Sequence, residues 1–294
     1  MNVIETTGLT KYYGKSRGVV DVDLAVPQGE IFGFIGPNGA GKSTTIRLLL
    51  NFIFPSRGSA RVLGRDVVKE SPAIKAEVGY IPGEVDYYDD MTAEELFAYS
   101  GRFYKKDCSL RTRQLVEMFE LDTKKKFHSL SLGNKKKVAI IQALQHQPRL
   151  LVLDEPTGGL DPLMQRRFFE LLREENKQGV TVFFSSHILS EVQRLCHRVA
   201  IIREGSVLKV EHMDDLRQTQ FRNVRISFAG QAPRLDLPGI LNSHVDNNTM
   251  QMFFSGDINE LVAKLAGYEL NGLWVEEPSL EDVFMHYYEE EGGQ

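Results

Sequence analysis

Cysteine is scarce: only Cys108 and Cys196 occur in 294 residues. They lie far apart, and neither sits in a Cys-x-x-Cys or Cys/His ligand spacing. That excludes a disulfide framework and a thiolate metal centre, and it fits a reducing, cytosolic setting. Cationic excess is missing as well. The 35 Lys and Arg residues are outnumbered by 40 Asp and Glu, for a net charge of -5, so no general field for nucleic acid is present. Long apolar runs are absent too. The longest, residues 150–153 and 180–184, fall well short of the roughly 20 residues needed to span a bilayer. Met1 leads into Asn2, Glu5 and Thr6 rather than a basic and then apolar signal segment. The chain is therefore not expected to be a membrane channel itself. Its 42% hydrophobic content is enough for one large domain, or one large and one small.

Periodicity gives the organisation. Val20, Val22, Leu24 and Val26 alternate with polar neighbours as in a half-buried strand, and residues 27–29 turn the chain. Residues 31–35 form a short apolar run that ends in a glycine-rich loop, and residues 42–52 follow with helical spacing. The order recurs: a buried strand at 150–153, a helix at 162–178 with Pro162 at its start and Gly179 after it, and a buried strand at 180–185. Strands alternating with helices predict an α/β core with a largely parallel sheet. Residues 86–147 show helical patterns, for example at 93–104 and 110–121, and read as a helical subdomain inserted in that core. The texture changes after residue 215. Strands at 224–228, 250–254 and 273–275, a helix at 258–266 and a final helix, with Ser279 and Asp282 at capping-box spacing, predict a small α/β accessory domain over 216–294.

The chemistry is concentrated at strand ends. Gly36, Pro37, Asn38, Gly39, Ala40, Gly41, Lys42 and Ser43 match the phosphate-loop pattern GxxxxGK[ST], with a strand before it and a helix after it. Glycines let backbone N–H groups wrap a β-phosphate at a helix N-terminus, Lys42 neutralises β/γ oxygens, and the Ser43 hydroxyl can ligate Mg²⁺; Thr44 continues the loop into the helix. Asp154 ends the next buried strand and Glu155 follows it. The first carboxylate suits the Mg²⁺ shell, the second the attacking water. A bland reading makes them a solvated acidic pair, but a phosphate loop needs such a partner. His187 follows the strand predicted to lie beside that of Asp154, which puts it at the carboxyl edge where open α/β sheets bind ligands. His128, His146, His197, His212, His244 and His286 have no such placement and read as structural or surface residues.

Together these motifs resemble the ABC (ATP-binding-cassette) ATPases. Walker A at 36–43, residues 130–134 at the place of the LSGGQ signature, Walker B at 150–154 with Glu155, a D-loop at 159–161 and a switch histidine at 187 follow the family's order and spacing. The resemblance covers about residues 1–215 and implies an ABC cassette: a mixed sheet core with antiparallel N-terminal strands and an inserted helical subdomain. It implies ATP and Mg²⁺ as ligands, Tyr13 stacked on adenine with Tyr12 as its neighbour and competitor, and Asp161 at the composite site. In the family the signature closes over ATP held by an opposing subunit, which implies a dimer, in the simplest case a homodimer. Ser131 and the Gly133 backbone would then aim at the incoming γ-phosphate, with positive potential from Lys135, Lys136 and Lys137. The alternative for these lysines is a solvated helix face.

This copy departs from the family in two places. Leu132 and Asn134 replace a Gly and the Gln of the signature, and Gly83 stands at the Q-loop glutamine, followed by Glu84. Glu84 or a water is the expected substitute near Mg²⁺. Residues 277–284 and 79–84 are similar to segments of bacterial ABC-2-type exporter ATPases, the bacitracin- and drug-resistance group. That implies a peripheral protein on the inner face of the membrane, driving export through a separate transmembrane permease and not acting on nucleic acid. A soluble ABC ATPase without a channel typically carries two cassettes or a long coiled-coil insertion, and the sequence has neither. A GTPase would need NKxD, but the run from Asn134 to Lys137 ends in Lys.

Overall fold

A computed structural model describes residues 1–214 and 221–276. The chain divides into two compact units, Met1–His212 and Met213–Gln294.

In the first unit β1 (Asn2–Tyr13) and β2 (Ser16–Pro27) form an antiparallel hairpin. Val22, Leu24 and Val26 are buried on alternate positions of β2, and Gly14 turns the hairpin at φ 60°. All five residues of β3 (Ile31–Ile35) are buried, as expected of a strand covered on both faces. It runs into the phosphate loop and α1 (Lys42–Leu49). That helix stops short of the expected residue 52 because Asn51 takes φ 51°, a left-handed exit that Asn tolerates. The chain continues through β4 (Arg57–Val62), β5 (Arg65–Asp66), α2 (Ser71–Lys75) and β6 (Val78–Ile81).

Helices α3 (Ala93–Gly101), α4 (Ser109–Met118) and α5 (Leu132–Leu144) fill the region expected to be helical. Thr92 and Glu95 close a reciprocal capping box on α3, a device whose loss costs about 1 kcal/mol. The second half alternates: β7 (Leu150–Asp154), α6 (Pro162–Lys177), β8 (Thr181–Ser186), α7 (Leu189–Leu195), β9 (Arg198–Arg203) and β10 (Ser206–His212). The helical segment is pinned to α6 by Arg111 with the buried Glu175, and by Arg167, which donates to Met118 O at 3.2 Å and to Glu120 at 2.6 Å.

Two sheets result. The antiparallel one has the order β2-β1-β4-β5; the other is ordered β10-β9-β3-β8-β7-β6, parallel except for the antiparallel edge pair β10 and β9. Its core includes Phe32, Phe34 and Phe183, with ring centroids 6.0 and 5.3 Å apart. This topology makes β3, β8 and β7 adjacent, so their carboxyl ends deliver the phosphate loop, His187 and the Asp154–Glu155 pair to one edge.

The second unit pairs β11 (Arg222–Phe228), β12 (Ile240–Asp246), β13 (Thr249–Phe254) and β14 (Leu270–Glu276) in the antiparallel order β12-β13-β11-β14. Helix α8 (Ile258–Leu265) buries Leu261 and Leu265 in a core with Val224, Ile226, Phe228, Met250, Met252 and Phe254. Strand β12 has no counterpart in the sequence reading. The final helix expected after Ser279 lies outside the described residues.

Candidate functional site

The phosphate loop is shaped by close backbone approach. A Cβ on Gly36 would lie 2.1 Å from the Ile202 carbonyl, and Gly41 takes φ 112° as the N-cap of α1. No side chain caps α1, so its first-turn N–H groups are available to an anion. Lys42 is buried and donates to the carbonyls of Gly36 at 2.8 Å and Pro37 at 3.2 Å, while its ammonium meets Glu155 Oε1 at 3.3 Å. Pro37, Asn38 and Gly39 are exposed; Ala40 is buried and holds the loop by donating to Pro37 O at 3.1 Å.

Asp154 is buried at the end of β7, where Ser185 Oγ donates to its Oδ1 at 2.8 Å. Glu155 takes φ 46°, a left-handed conformation rare for a residue with a side chain. Its N–H donates to Ser185 O and Ser185 Oγ, each at 3.2 Å. Its carboxylate reaches back to Lys42 through one oxygen and to His187 Nδ1, at 3.1 Å, through the other. Burial pushes the Glu155 carboxyl up, but the His187 hydrogen bond and the Lys42 charge outweigh it, leaving the group below the usual carboxylate range. It is therefore ionised at neutral pH.

A cleft of about 740 Å³ opens over this edge, lined among others by Ser43, Gly83, Glu84, Asp154, Glu155 and His187. Tyr80 also faces it, its phenol pushed up to about 12 by burial and by Asp154, and so stays protonated. The cleft thus gathers Ser43, Asp154, Glu84, Glu155 and His187 from four separate stretches of sequence. Tyr13, Thr44, Ser131, Gly133 and Asp161 do not line it. The Tyr13 ring instead lies beside Gly18, where an added Cβ would sit 3.0 Å from the ring and 3.2 Å from the Thr44 side chain, so Gly18 lies against both. Ser131 caps α5, accepting from Asn134 N at 3.4 Å, and Asp161 caps α6, accepting from Met164 N at 2.9 Å. Gly133 packs on the chain's own D-loop, since a Cβ there would be 2.7 Å from Gly159 O.

The lysine run requires a correction. Lys136 belongs neither to a phosphate-facing array nor to a solvated face, while Lys135 and Lys137 are half-buried. Lys135 lies over the Phe127 ring at 4.7 Å, Lys137 donates to Phe119 O at 2.9 Å, and Lys136 is 1% exposed with its ammonium turned into the protein. The cause is helical phase: position 136 falls on the same face of α5 as the buried Ile140, Ala143 and Leu144. Sequence reasoning also passed over Ser185, whose signal is a hydroxyl directly after the apolar run Val182, Phe183 and Phe184 of β8.

A phosphate loop, a buried strand-end aspartate and a following glutamate at one sheet edge define a P-loop nucleotide hydrolase. A model of the ABC transporter family matches residues 19–158. The chain is 35% identical over 301 residues to the bacitracin transport ATP-binding protein BcrA of Bacillus licheniformis, covering 96% of each. It is 30% identical to the linearmycin resistance ATP-binding protein LnrL of Bacillus subtilis, covering 97% of each. Among solved structures, the ATP-binding subunit of an ABC transporter aligns at TM-score 0.70 and 30% identity, over 74% of this chain and 92% of that one. A dimeric bacterial ABC transporter cassette aligns at TM-score 0.66 and 25% identity, over 71% of this chain and 98% of that one. The chain belongs to the ABC transporter ATP-binding family and is an ATPase.

Proposed function

We propose that this chain drives export of a substrate through a separately encoded transmembrane permease, working as a pair of cassettes on the inner face of the membrane. The observation that carries the hydrolytic part is the Glu155 carboxylate, held ionised between Lys42 and His187 in the wall of the cleft that Ser43 and Asp154 also line. In this reading the phosphate loop from Gly36 to Ser43, with Thr44, holds the ATP phosphates and Tyr13 stacks on adenine. An arriving γ-phosphate draws Lys42 from Glu155. The freed carboxylate accepts a proton from a water whose oxygen attacks γ-phosphorus, and the bond to the bridging oxygen of ADP breaks. His187 keeps the carboxylate aimed and hydrogen-bonds the γ-phosphate.

Mg²⁺ fits the donor set. Among the described residues no cluster of three or more His, Cys, Asp or Glu side chains could cage a metal. Ser43, Asp154 and Glu84 instead line one cleft, suiting a cation that is held by few protein oxygens and completed by phosphates and water. When bound it neutralises phosphate charge. Ser131 and Gly133 of a second copy complete each site, with Asp161 at its edge; the dimeric relative supports this. Residues 1–215 form the cassette and 216–294 an accessory domain. The relatives named for bacitracin transport and linearmycin resistance support export as the direction. No helix among the described residues is long and apolar enough to cross a membrane, and in this reading a partner supplies the path.

The test is purification of the tagged chain from detergent-solubilised membranes of its native host. A stoichiometric integral membrane protein that raises its ATPase rate is expected. Recovery without any membrane protein, at undiminished ATPase, contradicts the export reading.

A further inference from the structure

Glu155 sits in a strained backbone conformation, and such geometry persists only where the surroundings over-determine it. Ser185 fixes the N–H side of this residue through two acceptors. Its carbonyl side is approached by Lys136. The Lys136 ammonium donates to Gly83 O at 2.8 Å, to Pro82 O at 3.1 Å and to Glu155 O at 3.5 Å. An ammonium has three donors, and here three carbonyls from two segments take them. Burial lowers the affinity of Lys136 for its proton, while Asp154 and Glu155 act to retain it. A buried cation of this kind is poor stability design, since an apolar side chain of similar volume often serves as well. Its presence calls for another explanation.

The loop it grips supplies one. Gly83 is not demanded by space: an added Cβ would make only ordinary contacts, 3.5 Å from Asp154 O and 3.9 Å from Asp154 Oδ2. The loop therefore has room for a side chain directed at Asp154 but has none, and its carbonyls are anchored by Lys136.

We propose that Lys136 is a positioning residue for hydrolysis: its ammonium clamps the Glu155 peptide to the Pro82–Gly83 loop and so maintains the backbone turn that aims the Glu155 carboxylate. Because Lys136 rides on α5, whose first turn carries Gly133, displacement of that helix reaches Glu155 through one side chain. The proposal rests on Glu155 being the water-activating group.

The experiment measures steady-state ATPase and MgATP binding for Lys136→Met, which keeps chain length but removes charge and donors, in the parent and in Glu155→Gln. The expected result is affinity within about threefold of the parent and kcat lowered about ten- to a hundredfold, the loss of a charged hydrogen-bond donor. In Glu155→Gln, already slow, Lys136→Met is expected to add little, because both act on one step. Lys136→Gln keeps amide donors without charge and is expected to fall between; it is read by the same criteria if the Met variant does not fold. A kcat within twofold of the parent, or a loss that adds in full to that of Glu155→Gln, overturns the proposal. Rapid hydrolysis by Glu155→Gln alone would instead refute the reading beneath it.

Discussion

Lowering the pH should loosen the first unit through one histidine. His146, just past the end of α5, is 1% exposed and stacked on Tyr104, with ring centroids 3.9 Å apart and planes 6° apart. Burial, and secondarily the nearby Lys106 charge, push its pKa down to about 4. Unfolded, the same imidazole takes a proton near 6.5. Between those values the unfolded chain binds the proton and the folded chain does not, so stability falls as pH drops from 6.5 toward 4. About 2.5 pH units at about 1.36 kcal/mol each give roughly 3 kcal/mol in all, of which about 2 kcal/mol is lost by pH 5. For a unit of this size that is a fall in melting temperature of about 4–8 °C. The strain would be felt where α5 lies directly on β6, since a Cβ on Gly79 would sit only 2.2 Å from Ala143 O. Melting curves from pH 7.5 to 4.5 for the parent and for His146→Phe, which keeps an aromatic stack, isolate this contribution from other titrating groups. The two series should be offset increasingly in favour of Phe as pH falls. Parallel curves would refute the reasoning.

Two further substitutions follow from the geometry. Arg111→Ala leaves Glu175, 4% exposed, without its cation, and is expected to cost about 3 kcal/mol in urea unfolding, with part of that loss recovered in a double variant carrying Glu175→Gln. Gly133→Ala drives a methyl to within 2.7 Å of Gly159 O, so the start of α5 must shift; ATPase should fall about tenfold or more while nucleotide binding to the single subunit, followed by fluorescence titration, is preserved.

The sequence exposes most where one physical cause dominates. Residues 31–35 and 150–153 carry no polar side chain because both faces of those strands are covered, and the phosphate loop needs glycine where backbone meets backbone. Strand β12 was not legible: most of its residues are exposed, so no alternation marks it, and pairing with β13 is what defines it. Lys136 was hidden for a related reason. A run of three lysines reads as solvent-facing, and only the phase of α5 together with carbonyls contributed from residues 82, 83 and 155 turns the middle one inward. The Glu155 turn was equally unreadable, because left-handed backbone at a glutamate has no sequence signature.

The most direct test of the central claim compares Glu155→Gln with Lys42→Ala in MgATP binding, single-turnover hydrolysis and size. Glu155→Gln should bind MgATP, hydrolyse it about 10²- to 10⁴-fold more slowly and accumulate as an ATP-bound dimer, whereas Lys42→Ala should lose most nucleotide binding. Hydrolysis by Glu155→Gln at a rate near the parent's would contradict the account.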